Sequence, residues 1–384
     1  MAYLSGKLHI SELENAVNVG EAKLNQKKYL NKLVFEWSDR VVNTHDDTSE
    51  NSVLEDLQPH INLKELQIFH YRGTEFSTWM REGQLQNLVK VTLNDCTKCK
   101  TLTLGELPNL EVLYIEGMLE LETWPEVDCP SLDWLKFSNC PKLRKLPNLF
   151  FMLRVLKIKS CKSLKTLPVA PRLRFLKLID NPILEDWGEG LLSWNGTNDQ
   201  GQPIRWQQGS LFNLLEMELR SCPKMQALPK HLAPQKLEIS GCELLVALPK
   251  PHFAQRLQHL ALDACHDGTL VRERPNTSSL YSLVISGISN LTSLPKWPQL
   301  PGLKALYIRD CKDLVTLSKR EEGSLPTLIS LTFLSIRNCP MLVKLTEELP
   351  ATLECLSIVS CPPSAISRPQ GDTEEPPFTE GPLH

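Results

Sequence analysis

One phrase recurs along most of this chain: Leu-x-x-Leu-x-Ile/Leu-x-x-Cys. Leu132, Leu135, Phe137 and Cys140 make one copy, and Leu153, Leu156, Ile158 and Cys161 the next. Further copies end on Cys265, Cys311, Cys339 and Cys361. The copies begin at 63, 88, 110, 132, 153, 173, 214, 257, 280, 303, 331 and 353, with a weaker one at Pro234, Leu237, Ile239 and Cys242. Within each copy the Leu-x-Ile step alternates in and out, which is the period of a strand. One such strand cannot bury its apolar face alone, so successive copies must stack and share a core. A second phrase, Leu-x-x-Leu-Pro, follows several copies, as at Leu143, Leu146 and Pro147 or Leu164, Leu167 and Pro168. Proline removes a donor and fixes one dihedral, which suits a returning segment better than a regular helix.

This period matches leucine-rich repeats, which run to roughly 20–29 residues. The expected fold is an α/β solenoid, a horseshoe with a parallel concave β-sheet and a mostly loop or 3₁₀ outer face. Nine of the twelve cysteines (96, 140, 161, 222, 242, 265, 311, 339 and 361) fall at the repeat position that takes Asn or Cys, and Asn181 takes it in the copy starting at Leu173. A buried thiol there is a small apolar filler and a weak donor to a turn carbonyl. Cys96 and Cys99 form the sole C-x-x-C. A zinc site would need a second pair or histidines at matching spacing, so the repeat register explains Cys96 better than metal or redox chemistry.

Three regions are expected. Residues 1–60 form an N-terminal junction: a short helix within 12–28, a first strand at Leu30, Leu33 and Phe35, a loose polar loop over 40–52 and one helical turn over 53–57 before Pro59. Residues 61–361 are the array, with an insertion at about 187–209 that carries Trp187, Trp194 and Trp206, and a shorter charged one at 318–324. Long loops inside regular arrays are often functional, and three tryptophans favour one that packs or binds. Residues 362–384, rich in Pro, Glu and Gly, are expected to be a disordered tail.

Searches for catalytic chemistry return nothing. There is no Gly-x-x-x-x-Gly-Lys-Ser/Thr, Gly-x-Gly-x-x-Gly, His-Glu-x-x-His or Gly-x-Ser-x-Gly. The expectation is a binding module, not an enzyme, with no cofactor and no metal. The net charge of −3 gives no reason to expect a nucleic-acid partner, and no run of 18 apolar residues exists to span a membrane. The first 20 residues lack a signal-peptide pattern, and the cysteine-rich core calls for a reducing compartment.

The charge pattern singles out candidate surfaces. Residues 136–177 hold twelve Lys or Arg and no Asp or Glu. In the repeat register Lys136, Lys157 and Lys177 point outward at one position of three adjacent strands, with Arg154, Lys159 and Arg174 on the same strands. Lys142, Arg144, Lys145, Lys162 and Lys165 fall on one rim. The stripe reads either as a docking site for an acidic surface or as a solvated face. Outward positions then become acidic at Glu216, Glu218 and Glu238, and later aromatic and basic at Tyr307, Arg309, Phe333 and Arg337. Tyr and Arg are enriched at binding hot spots, although concave strands also carry aromatics with no ligand.

The opening residues carry a more specific resemblance. The run over 4–15 (LSGKLHISELEN), followed by EAKL at 21–24 and LNKLVFEWS at 30–38, resembles the start of the repeat region in plant intracellular immune receptors of the nucleotide-binding, coiled-coil class. The Cys-Pro-x-Leu/Met-x-x-Leu-Pro phrases at Cys140 and Cys222 are similar to their later repeats. The resemblance implies a domain that recognises a pathogen effector or a guarded host protein and restrains the nucleotide-binding module until recognition. It implies a cytoplasmic protein, also nuclear or peripheral to the plasma membrane through partners. The phosphate loop of that module is absent, so the resemblance carries over no ATP or ADP binding. It leaves open a domain fragment or a truncated decoy. A substrate-recognition module of a ubiquitin ligase is the alternative, but it calls for an F-box helix bundle, for which residues 1–29 are too few.

Overall fold

Alternating Leu and Ile side chains force each copy to turn one face inward, and the computed structural model shows where those faces meet. It describes residues 4–16, 18–39, 47–126, 129–185, 187, 213–229, 232–245, 247–248, 255–265, 278–294, 300–317, 328–345 and 349–363. Fifteen parallel strands form one sheet in strict chain order. They are β1 (Ser5–Ile10), β2 (Tyr29–Glu36), β3 (Glu65–Phe69), β4 (Lys90–Asn94), β5 (Val112–Glu116), β6 (Trp134–Ser138), β7 (Val155–Lys159), β8 (Phe175–Ile179), β9 (Glu216–Arg220), β10 (Lys236–Ser240), β11 (His259–Asp263), β12 (Ser282–Ser286), β13 (Ala305–Arg309), β14 (Phe333–Arg337) and β15 (Cys355–Val359). The protein is a leucine-rich-repeat solenoid.

From β3 onward the register is unbroken, so each repeat position forms a column running across the sheet. The inward columns are closed from solvent: Leu135, Phe137, Leu178 and Leu219 have no exposed surface. The weaker copy supplies β10 like any other repeat. At β15 the stack ends, and Leu356 is 39% exposed where its counterpart Leu334 is fully buried.

The turn after each strand repeats one backbone state. The residue after the strand has positive φ in His70, Asp95, Gly117, Asn139, Ser160, Asp180, Ser221, Gly241, Ala264, Gly287, Asp310, Asn338 and Ser360. Its N–H donates to the next strand's last carbonyl, as from Asn139 to Lys159 at 2.9 Å. Glycine, Asn and Asp tolerate this left-handed region, which accounts for their frequency just ahead of the ladder cysteines. Those cysteines then point into the core. Their thiols lie near the carbonyl two residues back, at 3.5 Å for Cys140, 3.4 Å for Cys265 and 3.3 Å for Cys311. None of the twelve cysteines is in a disulfide, and ten are buried. Cys99 donates to the Gly73 carbonyl at 3.2 Å.

The N-terminal junction departs from the sequence reading in three ways. A strand, β1, lies ahead of the expected first one and pairs in parallel with β2 around an irregularity at Gly6. The expected helix within 12–28 is three separate 3₁₀ turns, Leu13–Asn15, Val19–Ala22 and Leu24–Gln26, because Glu12, Asn18 and Lys23 adopt left-handed conformations that interrupt any helix. The polar segment expected to be a loop contributes to a ten-residue helix, α1 (Asp47–Asp56), held by burial of Leu54 and of Leu57 just past its end. A four-residue helix, α2 (Thr78–Arg81), follows; Trp79 Nε1 donates to the Leu54 carbonyl at 3.1 Å and ties the two together. On the outer face, extended segments meet in single bridges such as Thr101 with Thr123 and Thr316 with Lys344. The insertion beyond Trp187, the 318–324 segment and the tail beyond residue 363 lie outside the described residues.

Candidate protein-recognition face

Three outward columns cover the concave sheet. The middle one runs Tyr114, Lys136, Lys157, Lys177, Glu218, Glu238, Ala261, Val284, Tyr307 and Ser335. Lys136, Lys157 and Lys177 are thus register neighbours, about 4.8 Å apart along the sheet. Arg154 and Arg174 each stand one residue before their strands, at the entry edge, and Lys159 closes the exit end of β7. The six basic residues are therefore spread over three levels of the strands and do not form one stripe.

The structure also brings acids to the run that the sequence shows without any. Lys136 pairs with Glu116 at 2.7 Å, Lys142 with Glu120 at 2.6 Å, Arg144 with Glu122 at 3.7 Å and Lys145 with Glu126 at 3.7 Å. Arg154 grips Asp133 with two nitrogens, the Nη2 contact at 2.7 Å, and this carboxylate raises the guanidinium's already high pKa. Lys177 pairs forward with Glu218 at 2.6 Å. The acids on the N-terminal side lie about one repeat earlier, 20 residues for Lys136 and 22 for Lys142. That separation, the repeat period itself, is the sequence signal that would have found them.

Lys157, Lys159 and Arg174 have no carboxylate partner among the described residues, and of these Lys157 meets an aromatic ring. Its ammonium sits over the Trp134 ring, 4.8 Å from the centroid, and it makes no ion pair among the described residues. Trp134 also meets Tyr114 edge-on at 6.2 Å, and its buried indole N–H has no hydrogen-bond partner there. Trp134, Val155, Phe175 and Lys157 form one wall of an open groove of about 370 Å3. Glu216, Glu218, Lys236 and Glu238 form the other.

That second wall is a charge lattice. Arg220 bridges Glu218 at 2.6 Å and Glu238 at 3.1 Å, and Lys236 holds Glu238 at 2.8 Å. Burial pushes the Glu238 carboxyl up, but hydrogen bonds and charge from Lys236 and then Arg220 outweigh it and leave the pKa below the usual value. Lys236 is raised in turn, chiefly by its hydrogen bond to Glu238. Burial, with Lys236 nearby, lowers the pKa of His259.

Toward the C-terminal end Tyr307 and Phe333 are in ring contact at 5.3 Å, and the Arg309 guanidinium lies 5.4 Å from the Tyr307 centroid. Arg309 and Arg337 are register partners. The four residues picked out there in the sequence thus form one cluster. From the insertion, Trp187 packs on the core and donates its indole N–H to the Ala227 carbonyl at 2.7 Å, so it anchors the chain to the next repeat. Trp194 and Trp206 lie outside the described residues.

Comparison with known proteins shows what the chain is similar to. The family model described as R13L1/DRL21 LRRs matches residues 1–118. A disease resistance RPP13-like protein 1 from Arabidopsis thaliana is 30% identical over 349 residues, which is 81% of this chain and 30% of that protein. The chain is similar to the leucine-rich-repeat region of plant disease-resistance proteins. Disease resistance protein RGA2 of Solanum bulbocastanum is 35% identical over 130 residues, 33% of this chain and 13% of its own length. This region therefore spans about a third or less of the relatives it matches. Among solved structures, the leucine-rich-repeat domain of the type III effector XopL aligns over 58% of this chain and 71% of its own, with 17% identity and a TM-score of 0.38. Among the described residues of this chain no helix is long and apolar enough to cross a membrane.

Proposed function

We propose that this repeat region recognises a pathogen effector or a guarded host protein through its concave face, and that the same face contacts the nucleotide-binding module of its receptor to restrain it. The observation that carries this reading is Lys157. Among the described residues the neighbouring cations Lys136 and Lys177 are each matched by a carboxylate from an adjacent repeat, whereas Lys157 meets the Trp134 ring and no carboxylate. Beside it an aromatic and aliphatic wall lines an open groove. An aromatic anchor that a partner would bury, beside a cation awaiting a carboxylate, is the kind of centre that dominates binding energy in protein interfaces. An acidic partner surface would complete the charge and bury Trp134, Val155 and Phe175.

The test is binding of the full chain to a nucleotide-binding module from a related receptor at low and moderate salt, beside a Lys157→Glu, Lys159→Glu variant. Salt-sensitive binding lost in the variant is the expected result. Binding that neither salt nor the variant weakens would overturn the electrostatic contact.

A further inference from the structure

Arg309 and Arg337 occupy the same outward position on β13 and β14, directly opposite each other in the ladder. Both are exposed, and neither makes an ion pair among the described residues. Like charges so placed destabilise a sheet. At several other places on this face a carboxylate meets the cation: Lys32 meets Glu65, Lys136 meets Glu116, Lys177 meets Glu218, and Arg220 meets two glutamates. Two described acids of the neighbouring turns are engaged in hydrogen bonds. Asp310 accepts from the Asn338 side chain at 2.7 Å, and Asp313 accepts the Asn290 backbone N–H at 2.9 Å. The Arg309 guanidinium is braced against the Tyr307 ring, which in turn meets Phe333.

We infer that this cluster is a docking site for a phosphorylated side chain of a partner protein. Two guanidinium groups on adjacent strands offer two planar donor forks about one strand spacing apart. A single carboxylate has two oxygens and satisfies one fork. A phosphate monoester carries a charge of about −1.5 to −2 and three acceptor oxygens, enough to engage both. Tyr307 and Phe333 supply the apolar wall for the side chain that bears it. The inference rests on the concave face being a recognition surface and adds what this part of it reads.

The experiment uses the full chain and fluorescein-labelled degenerate peptide pools centred on phosphotyrosine or phosphoserine, with their unphosphorylated counterparts, read by fluorescence anisotropy. At least one phosphorylated pool should bind, and Arg309→Gln or Arg337→Gln should each weaken it at least tenfold. Both variants should melt at or above the parent temperature, because each relieves a repulsion. A lower melting temperature would make the arginines structural and overturn the inference, as would failure of both phosphorylated pools to bind. Inorganic phosphate competing at the peptide's own concentration would also overturn it, since the site would then read free anion. Pools that bind equally with and without phosphate, and equally to the variants, would refute the phosphate reading while leaving protein recognition intact.

Discussion

Asn181 accepts the backbone N–H of Cys161 on its Oδ1 at 3.1 Å, joining one turn of the solenoid to the turn before it. Its Nδ2 donates to the carbonyls of Ile158 at 3.2 Å and Ile179 at 3.0 Å, from a side chain that is itself fully buried. The ladder thiols reach only carbonyls, whereas this amide also satisfies a donor, just ahead of the long insertion. Asn181→Ala should destabilise the protein by about 3 kcal/mol, from three lost hydrogen bonds and a buried N–H left unpaired. Asn181→Cys should cost less, because the thiol keeps the volume and one carbonyl contact. Urea unfolding of the two variants checks the order; equal losses would show that the amide contributes no more than its size.

Asn139 holds φ at 54° in the turn between β6 and Cys140. Asn139→Val should cost on the order of 1–3 kcal/mol, since a branched side chain is strained in the left-handed region. Asn139→Gly should be close to neutral. Paired thermal melts would detect the difference, and similar melts for both variants would mean that the turn relaxes.

The thiols make a pH prediction. Burial, before any other cause, pushes Cys99, Cys222 and Cys265 up to about 12. A thiol whose pKa is raised by folding contributes stability below the unfolded value near 9 and loses it as pH rises toward 12. Each such thiol should cost about 1.4 kcal/mol per pH unit within that window. The melting temperature should therefore fall steeply above pH 9. In the native protein at pH 8, a thiol reagent should react readily with exposed Cys355, more slowly with half-buried Cys361, and with all twelve cysteines only after unfolding. Rapid labelling of Cys265 in the native state would contradict the fold around it.

Glu116 neutralises Lys136, so Glu116→Gln should strengthen any partner that binds the basic side of the groove, while Lys157→Glu should weaken it. Stability should change by under about 1 kcal/mol in Glu116→Gln, because both partners of this pair are substantially exposed. Titration of the acidic partner against both variants reads the two signs. The same affinity for both would place the contact elsewhere on the face.

Much of the fold is legible in the sequence because a repeat states its own register. The alternation of Leu135 and Phe137 with Lys136, copied at Lys157 and Lys177, predicts which side chains face out and which strands are neighbours. The N-terminal junction is less legible. β1 has only Leu8 and Ile10 on its half-buried side, too short an alternation to stand out, and it is held by pairing with β2. Likewise, α1 starts in a polar run and is held through Leu54, Leu57 and the contact with Trp79.

The sequence by itself determined the solenoid, its parallel sheet, the cysteine ladder and the outward positions of the concave residues, because all follow from a local period repeated along the chain. Only the tertiary structure decided which of those charges remain unmatched. Residues 136–177 read as uniformly basic, but stacking puts Glu116, Glu120, Glu122 and Asp133 from earlier repeats beside them and Glu218 from a later one. Coulomb energy depends on distance in space and not on separation in sequence. Lys157 is then set apart by the Trp134 ring beneath it, and Arg309 by lying opposite Arg337.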